Sequence, residues 1–150
     1  MKLISHRGNI NGKNESYENE PNYIDIAISK GYEVEIDLWI IDNKLYLGHD
    51  EHQYGIDFRW IRDRITKLWI HCKNIDVLIF LNKIEYDINY FWHQEDDFTL
   101  TNKNYIWTYP SKKLTELSIA VLPELSIYSE NELNECYGIC SDFIKNYKIK

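Results

Sequence analysis

The sequence predicts an α/β protein in which eight short parallel strands alternate with helices and close into a compact (β/α)8 TIM-type barrel, several of its helices short or missing. Three observations lead there. Strand-like runs recur along the whole chain, amphipathic helical stretches separate several of them, and nearly every residue capable of chemistry stands at the C-terminal end of a run, the edge on which such barrels carry their active sites. The 150 residues fall well short of the roughly 250 usual for this architecture. An open α/β sheet of fewer strands is therefore the competing arrangement.

The strand-like runs are Lys2 to His6, Glu33 to Ile40, Lys44 to His49, Leu68 to Lys73, Ile88 to His93, Tyr105 to Tyr109, Ser118 to Pro123 and Tyr137 to Ser141, each rich in β-branched, aromatic or leucine residues. The clearest helix covers Pro21 to Lys30: proline suits the first turn, Ile24, Ala27 and Ile28 share one face, and Gly31 ends it. Asp57 to Lys67 follows, with Asp57 as cap and Phe58, Ile61, Ile65 and Leu68 at helical spacing. Ile75 to Glu85 repeats the scheme after a capping Asn74. Weaker helical stretches lie at Lys112 to Leu117 and Glu130 to Cys136. The link Ile41-Asp42-Asn43-Lys44 is too short to hold a helix.

Length and composition, 44% hydrophobic and 27% charged, suit a single globular domain over residues 1–150. No apolar stretch approaches the roughly 20 residues of a membrane span, so no membrane span is expected. The first residues do not resemble a signal sequence. The three cysteines form neither a CxxC pair nor a zinc-like spacing, which points to reduced thiols in a cytoplasm. A net charge of -7 without a basic stripe argues against a nucleic-acid partner and against a metal-dependent nuclease. Nothing in the sequence specifies an oligomeric state.

The polar residues cluster by position: His6-Arg7 closes the first run, Glu35-x-Asp37 lies on the second, His49-Asp50 closes the third, His71-x-Lys73 the fourth and His93 the fifth. Glu35 and Asp37 are two apart, so both side chains point to the same face. Such a pair suits a hard divalent cation, Mg²⁺ above all or Ca²⁺, although a salt-bridged strand end gives the same pattern. His6 and His49 beside a metal pair can act as acid and base on a phosphodiester. Arg7 and Lys73 supply positive charge for phosphate oxygens, or else neutralise a neighbouring acid such as Glu18.

Four ordered elements, Ser5-His6-Arg7-Gly8, Glu18-Asn19, Glu33-Val34-Glu35-Ile36-Asp37 and Gly48-His49-Asp50, resemble the glycerophosphodiester phosphodiesterase family, of the wider phospholipase C-like phosphodiesterase superfamily, whose members are (β/α)8 barrels. The resemblance implies a phosphoric diester hydrolase acting on a small phosphodiester, with His6 and His49 as general acid and base, Glu35 and Asp37 as metal ligands and Arg7 on the phosphate. The family continues with E-x-K on its fourth strand. Here His71-Cys72-Lys73 keeps the lysine and puts histidine in place of the acid, so His71 becomes the expected third ligand, with Asp50 or Glu124 as substitutes. Tyr137 to Phe143 is similar to the family's last-strand pattern of a small residue before aspartate. His93, Trp107 and Tyr109 have no counterpart in it and are expected as substrate contacts or as packing. The departure at His71 leaves a second possibility: a catalytically weakened barrel that binds a phosphorylated ligand or partner without turnover.

Overall fold

Residues 1–148 are described by the structure, a computed structural model. Ten strands form one sheet: β1 (Lys2–His6), β2 (Glu33–Ile41), β3 (Lys44–Leu47), β4 (Tyr54–Ile56), β5 (Leu68–Cys72), β6 (Asn89–Trp92), β7 (Phe98–Leu100), β8 (Ile106–Thr108), β9 (Ser118–Val121) and β10 (Gly138–Ser141). The α-helices among the described residues are α1 (Pro21–Ser29), α2 (Phe58–Arg62), α3 (Ile75–Lys83) and α4 (Glu130–Glu135). Parallel pairing runs in the order β6-β5-β2-β1-β10-β9-β8, while β3, β4 and β7 pair antiparallel.

This corrects the expected (β/α)8 TIM-type barrel: the sheet is a curled, mixed half-barrel of ten strands with four short helices. The reason is local. Asp42 and Asn43 both take positive φ, 49° and 59°, the geometry of a two-residue hairpin, so β3 folds straight back on β2 and β4 on β3. The run from Lys112 to Leu117, expected as a helix, is a turn in which Ser118 Oγ accepts from Thr115 N at 2.9 Å. The stretch from Asp57 to Lys67 divides into α2 and a separate 3₁₀ turn, Ile65–Lys67. An additional strand, β7, occupies chain that a barrel would have given to a crossover.

Caps set the helices that remain. Glu20 accepts from Tyr23 N ahead of Pro21 in α1, and Ser129 and Glu132 form a reciprocal capping box on α4. Asn74 caps α3 by accepting from Val77 N and also donates to Ile40 O at 2.7 Å, which ties that helix to β2.

Side chains alternate between the two faces of the curl. Ile24, Ala27, Ile36, Ile70 and Val77 form a core between sheet and helices on the convex side. Ile4, Trp69, Phe91, Trp107, Ile119 and Cys140 fill the concave side. At one end of that concave core, Glu33 receives Lys2 Nζ and, at 2.7 Å, Trp69 Nε1. At the other, the same parity brings His6, Glu35, Asp37 and His71 inward. The strand β2 forks: Val34–Leu38 pairs with β5 and Leu38–Ile41 with β3, so residues beyond both β3 and β5 reach the end of β2. No helix among the described residues is long and apolar enough to cross a membrane.

The curl brings β6 close to the segment between β7 and β8. Asn102 bridges them: its N donates to Tyr90 O at 3.1 Å, its Oδ1 accepts from Tyr90 N at 2.8 Å and its Nδ2 donates to Ile88 O at 2.9 Å. Removing a side chain that serves two backbone groups leaves both without that partner, so Asn102→Ala should lower unfolding free energy by about 1–3 kcal/mol. Asn82→Ala, which loses one exposed bond from Tyr90 Oη, should stay within about 0.5 kcal/mol. Urea unfolding of the two variants checks this, and equal effects would refute the bridge.

Candidate active site

The turn after β1 builds one wall. Arg7 takes φ 53° and Gly8 φ 94°, and a Cβ on Gly8 would stand 2.6 Å from the Tyr23 ring, so only glycine fits there. Arg7 N donates to Glu35 O and Asn19 N to Arg7 O, which lays the turn across the end of β2. Asn19 then grips Asp37 twice, accepting from its backbone N at 2.9 Å and donating to Oδ2 at 2.8 Å. Arg7 Nη1 donates to Glu18 Oε2 at 3.1 Å, while Nε lies 2.9 Å from Asp37 Oδ2 as an ion pair.

Asp37 is fully buried and crowded by nitrogen atoms. His71 Nδ1 lies 2.9 Å and Lys73 Nζ 3.6 Å from Oδ1, and His49 Nδ1 is 3.6 Å from Oδ2. Burial alone would raise its carboxyl, but the close approach of His49 and His71 and the charge of Arg7 hold it well below the usual carboxylate range. Glu35 behaves in the opposite way. Burial, then the Asp37 carboxylate, pushes it well above its ordinary value, with Arg7 and Lys73 only partly offsetting them. Its Oε2 is buried without a hydrogen-bond partner among the described residues.

Glu35, Asp37 and His71 each offer a donor atom, all within 4.8 Å of one another. Two features suit this trio to a divalent cation: the orphaned Glu35 oxygen, and His71 Nε2, 3.2 Å from His93 O. When Nε2 carries the proton and donates it to that carbonyl, Nδ1 presents a lone pair toward the carboxylates, as ligating histidines do. His71 also stacks on Phe91 with centroids 5.2 Å apart, which fixes the ring plane.

The two remaining histidines flank this group. His6 Nδ1 is 2.7 Å from Asp142 Oδ1, and its Nε2 faces Glu35 Oε2 at 3.9 Å. A proton on Nδ1 satisfies the carboxylate and leaves Nε2 as the basic nitrogen. Asn9 Nδ2 donates to the same Asp142 oxygen at 2.9 Å, and Asp142 N donates to Glu124 Oε1 at 2.9 Å. His49 sits at the rim, its side chain 39% exposed. Lys73 Nζ, 3.2 Å from His49 Nδ1, is a donor with no lone pair to offer when charged, so Nδ1 accepts and the proton belongs on Nε2, which faces Asp50 at 3.6 Å.

A cavity of about 920 Å³ opens over these groups. Of the sequence-derived site residues, His6, Arg7, Glu35, His49, His71, Lys73, His93 and Trp107 border it, while Asp37 lies beneath them. Trp107 is 2% exposed and stacks with Phe91 at 4.5 Å, deep in the concave core. His93 stacks on Tyr109 at 3.8 Å, and burial lowers its pKa to about 4. Of the substitute ligands, Asp50 is held only by His49 at the surface, and Glu124 is engaged by Ser141 Oγ and Asp142 N. Asn9, Asn19 and Asp142 carry no local pattern that assigns them a role; their signals in the sequence are the Glu18-Asn19 pair and an aspartate just after the last strand.

Asp142 is held below its ordinary carboxylate value: burial opposes this, and the hydrogen bond and charge of His6 and the Asn9 amide outweigh it. A depressed folded pKa contributes stability above the unfolded value and loses it as pH falls through the folded one. Asp142→Asn should therefore cost about 1–3 kcal/mol near neutrality, and the gap to the parent should narrow as pH falls from about 5 to about 3. Denaturant unfolding at several pH values measures that gap; a constant gap would show that the carboxylate charge is not what His6 uses.

No family model matches the chain, and no curated protein or solved structure is significantly similar to it.

Proposed function

We propose that this chain is a metal-dependent phosphodiesterase similar in chemistry to the glycerophosphodiester phosphodiesterases, cleaving a small phosphodiester by histidine general acid/base catalysis. The observation that carries the reading is the arrangement of two imidazoles in opposite tautomers on either side of a buried carboxylate pair, one of whose oxygens has no hydrogen-bond partner among the described residues. A structural ion-pair cluster would be expected to close on itself. Here Asp37 is held by groups from several strands, while Glu35 Oε2 is buried without a hydrogen bond.

His6 Nε2 takes the proton from the attacking oxygen, and Asp142 stabilises the imidazolium that forms. As an imidazolium, its Nδ1 proton toward Asp37 Oδ2 at 3.6 Å, His49 gives its Nε2 proton to the leaving oxygen and returns to the neutral form, at the rim where a departing alcohol reaches solvent. Arg7, anchored on Glu18 and Asp37, and Lys73 supply fixed positive charge for the phosphate oxygens. Glu35, Asp37 and His71 would hold the divalent cation, Mg²⁺ before Ca²⁺, which supplies further charge to the phosphate. His93 and Tyr109 form a neutral stacked wall for the substrate. The buried free thiols of Cys72, Cys136 and Cys140 suit a reducing compartment such as a cytoplasm.

Assay against glycerophosphodiesters with Mg²⁺, Ca²⁺ or Mn²⁺ present or chelated tests the reading. His6→Ala and His49→Ala should each lower turnover by about 10²- to 10⁴-fold with folding intact. Parent-like rates in either variant remove that histidine from the mechanism, and ligand binding with no turnover of any diester would favour a binding protein instead.

The metal site is tested by titration calorimetry. His71→Glu should tighten Mg²⁺ binding by restoring a hard oxygen ligand, and His71→Ala should weaken it. Unchanged affinity in both variants excludes His71 as a ligand, and activity that survives chelation, with no metal found on analysis, refutes the site.

A further inference from the structure

We infer that one alcohol of the diester carries a hydrocarbon chain, bound along the β9 and β10 side of the cavity; this rests on the phosphodiesterase reading. The cavity has two unlike sides. Arg7, Lys73 and the histidines gather around β1, β2 and β5, whereas Val121, Leu122, Leu125 and Phe143 border it from β9, β10 and the segments after them. These four side chains offer no hydrogen-bond donor or acceptor, so a glycerol or sugar group set against them would lose its water without replacement.

The carboxylates on this side do not alter that character. Glu124 accepts from Ser141 Oγ and Asp142 N, both at 2.9 Å, and Asp142 is engaged by His6 and Asn9. The backbone is also committed to the wall. Leu122 leaves β9 at φ 43° and ψ 53°, a conformation leucine rarely adopts, held by a 2.7 Å hydrogen bond from its N to Cys140 O and followed at once by Pro123. Leu125 is 66% exposed and Phe143 39% exposed, so the wall they line reaches solvent. Isolated apolar residues on a surface need no explanation. Apolar residues that continue the wall of a catalytic cavity toward solvent form a track along which a substrate's chain recovers burial.

Monoalkyl phosphates from ethyl to octyl, titrated against the full chain with Mg²⁺ and followed by tryptophan fluorescence, read this binding without turnover. The dissociation constant should fall about fourfold per added methylene, the factor for burying one such group. Leu125→Ser and Leu122→Asn, the latter tolerant of the left-handed backbone, should each reduce that slope. A constant affinity across the series, a slope unchanged in both variants, or tightening only above the aggregation threshold of the phosphates would overturn the inference. Matching glycerol alkyl phosphodiesters separate it from the reading it rests on. Binding of the series without cleavage of these diesters refutes the phosphodiesterase and leaves the chain subsite standing; cleavage at rates independent of chain length does the reverse.

Discussion

Two carboxylates two residues apart on one buried strand must be reconciled with low dielectric and with each other, and the surroundings of Glu35 and Asp37 follow from that. Desolvating one such ion costs several kcal/mol before any partner is counted. Asp37 meets this cost with groups drawn from distant parts of the chain: the Asn19 amide, the charges of Arg7 and Lys73, and the close approach of the His71 and His49 rings. Glu35, one pleat earlier on the same face, is left with an unpaired oxygen and a strongly raised pKa. The inequality between the two is the site's main electrostatic feature. It leaves room for one more positive group beside Glu35.

The topology is what allows so many donors to converge. Because β2 forks, β5 brings His71 and Lys73 alongside Asp37 while the β3 hairpin returns His49 from the other branch. On the opposite edge, β1 places His6 beside Glu35, and β10, its parallel neighbour, ends one residue before Asp142. Each histidine is thus given its tautomer by a group one residue beyond the end of a different strand. The left-handed turn at Arg7 and Gly8 belongs to the same design, since it folds the guanidinium back over Asp37 in place of letting the strand run on.

The cavity above this centre is divided. Cationic and titratable groups occupy the β1, β2 and β5 side, and aliphatic and aromatic side chains the β9 and β10 side, with the aromatic stack of His71, Phe91 and Trp107 forming the floor between them. That division gives the cavity one charged wall and one apolar wall. On the apolar side Glu124 accepts from Ser141 Oγ and Asp142 N, and Asp142 Oδ1 is engaged by His6 and Asn9.

Local information in the sequence determined the elements with their own stop signals. The Pro21 helix ending at Gly31, the helix after Asn74, and the strands at Lys2, Leu68 and Ser118 all lie near their expected positions, because caps and alternation act within a few residues. The same alternation put Glu35 and Asp37 on one face, and strand-end position identified most of the residues that border the cavity. What only the tertiary structure decided is pairing. No local rule states that β2 would fork, that the Asp42-Asn43 hairpin would replace a crossover, or that the sheet would stop at a curled half-barrel instead of a (β/α)8 barrel. Nor does one state that Asp142 would serve His6 from 136 residues away, or that Asn19 would clamp Asp37. Such partners are chosen by which strands lie side by side, and that depends on burial summed over the whole chain.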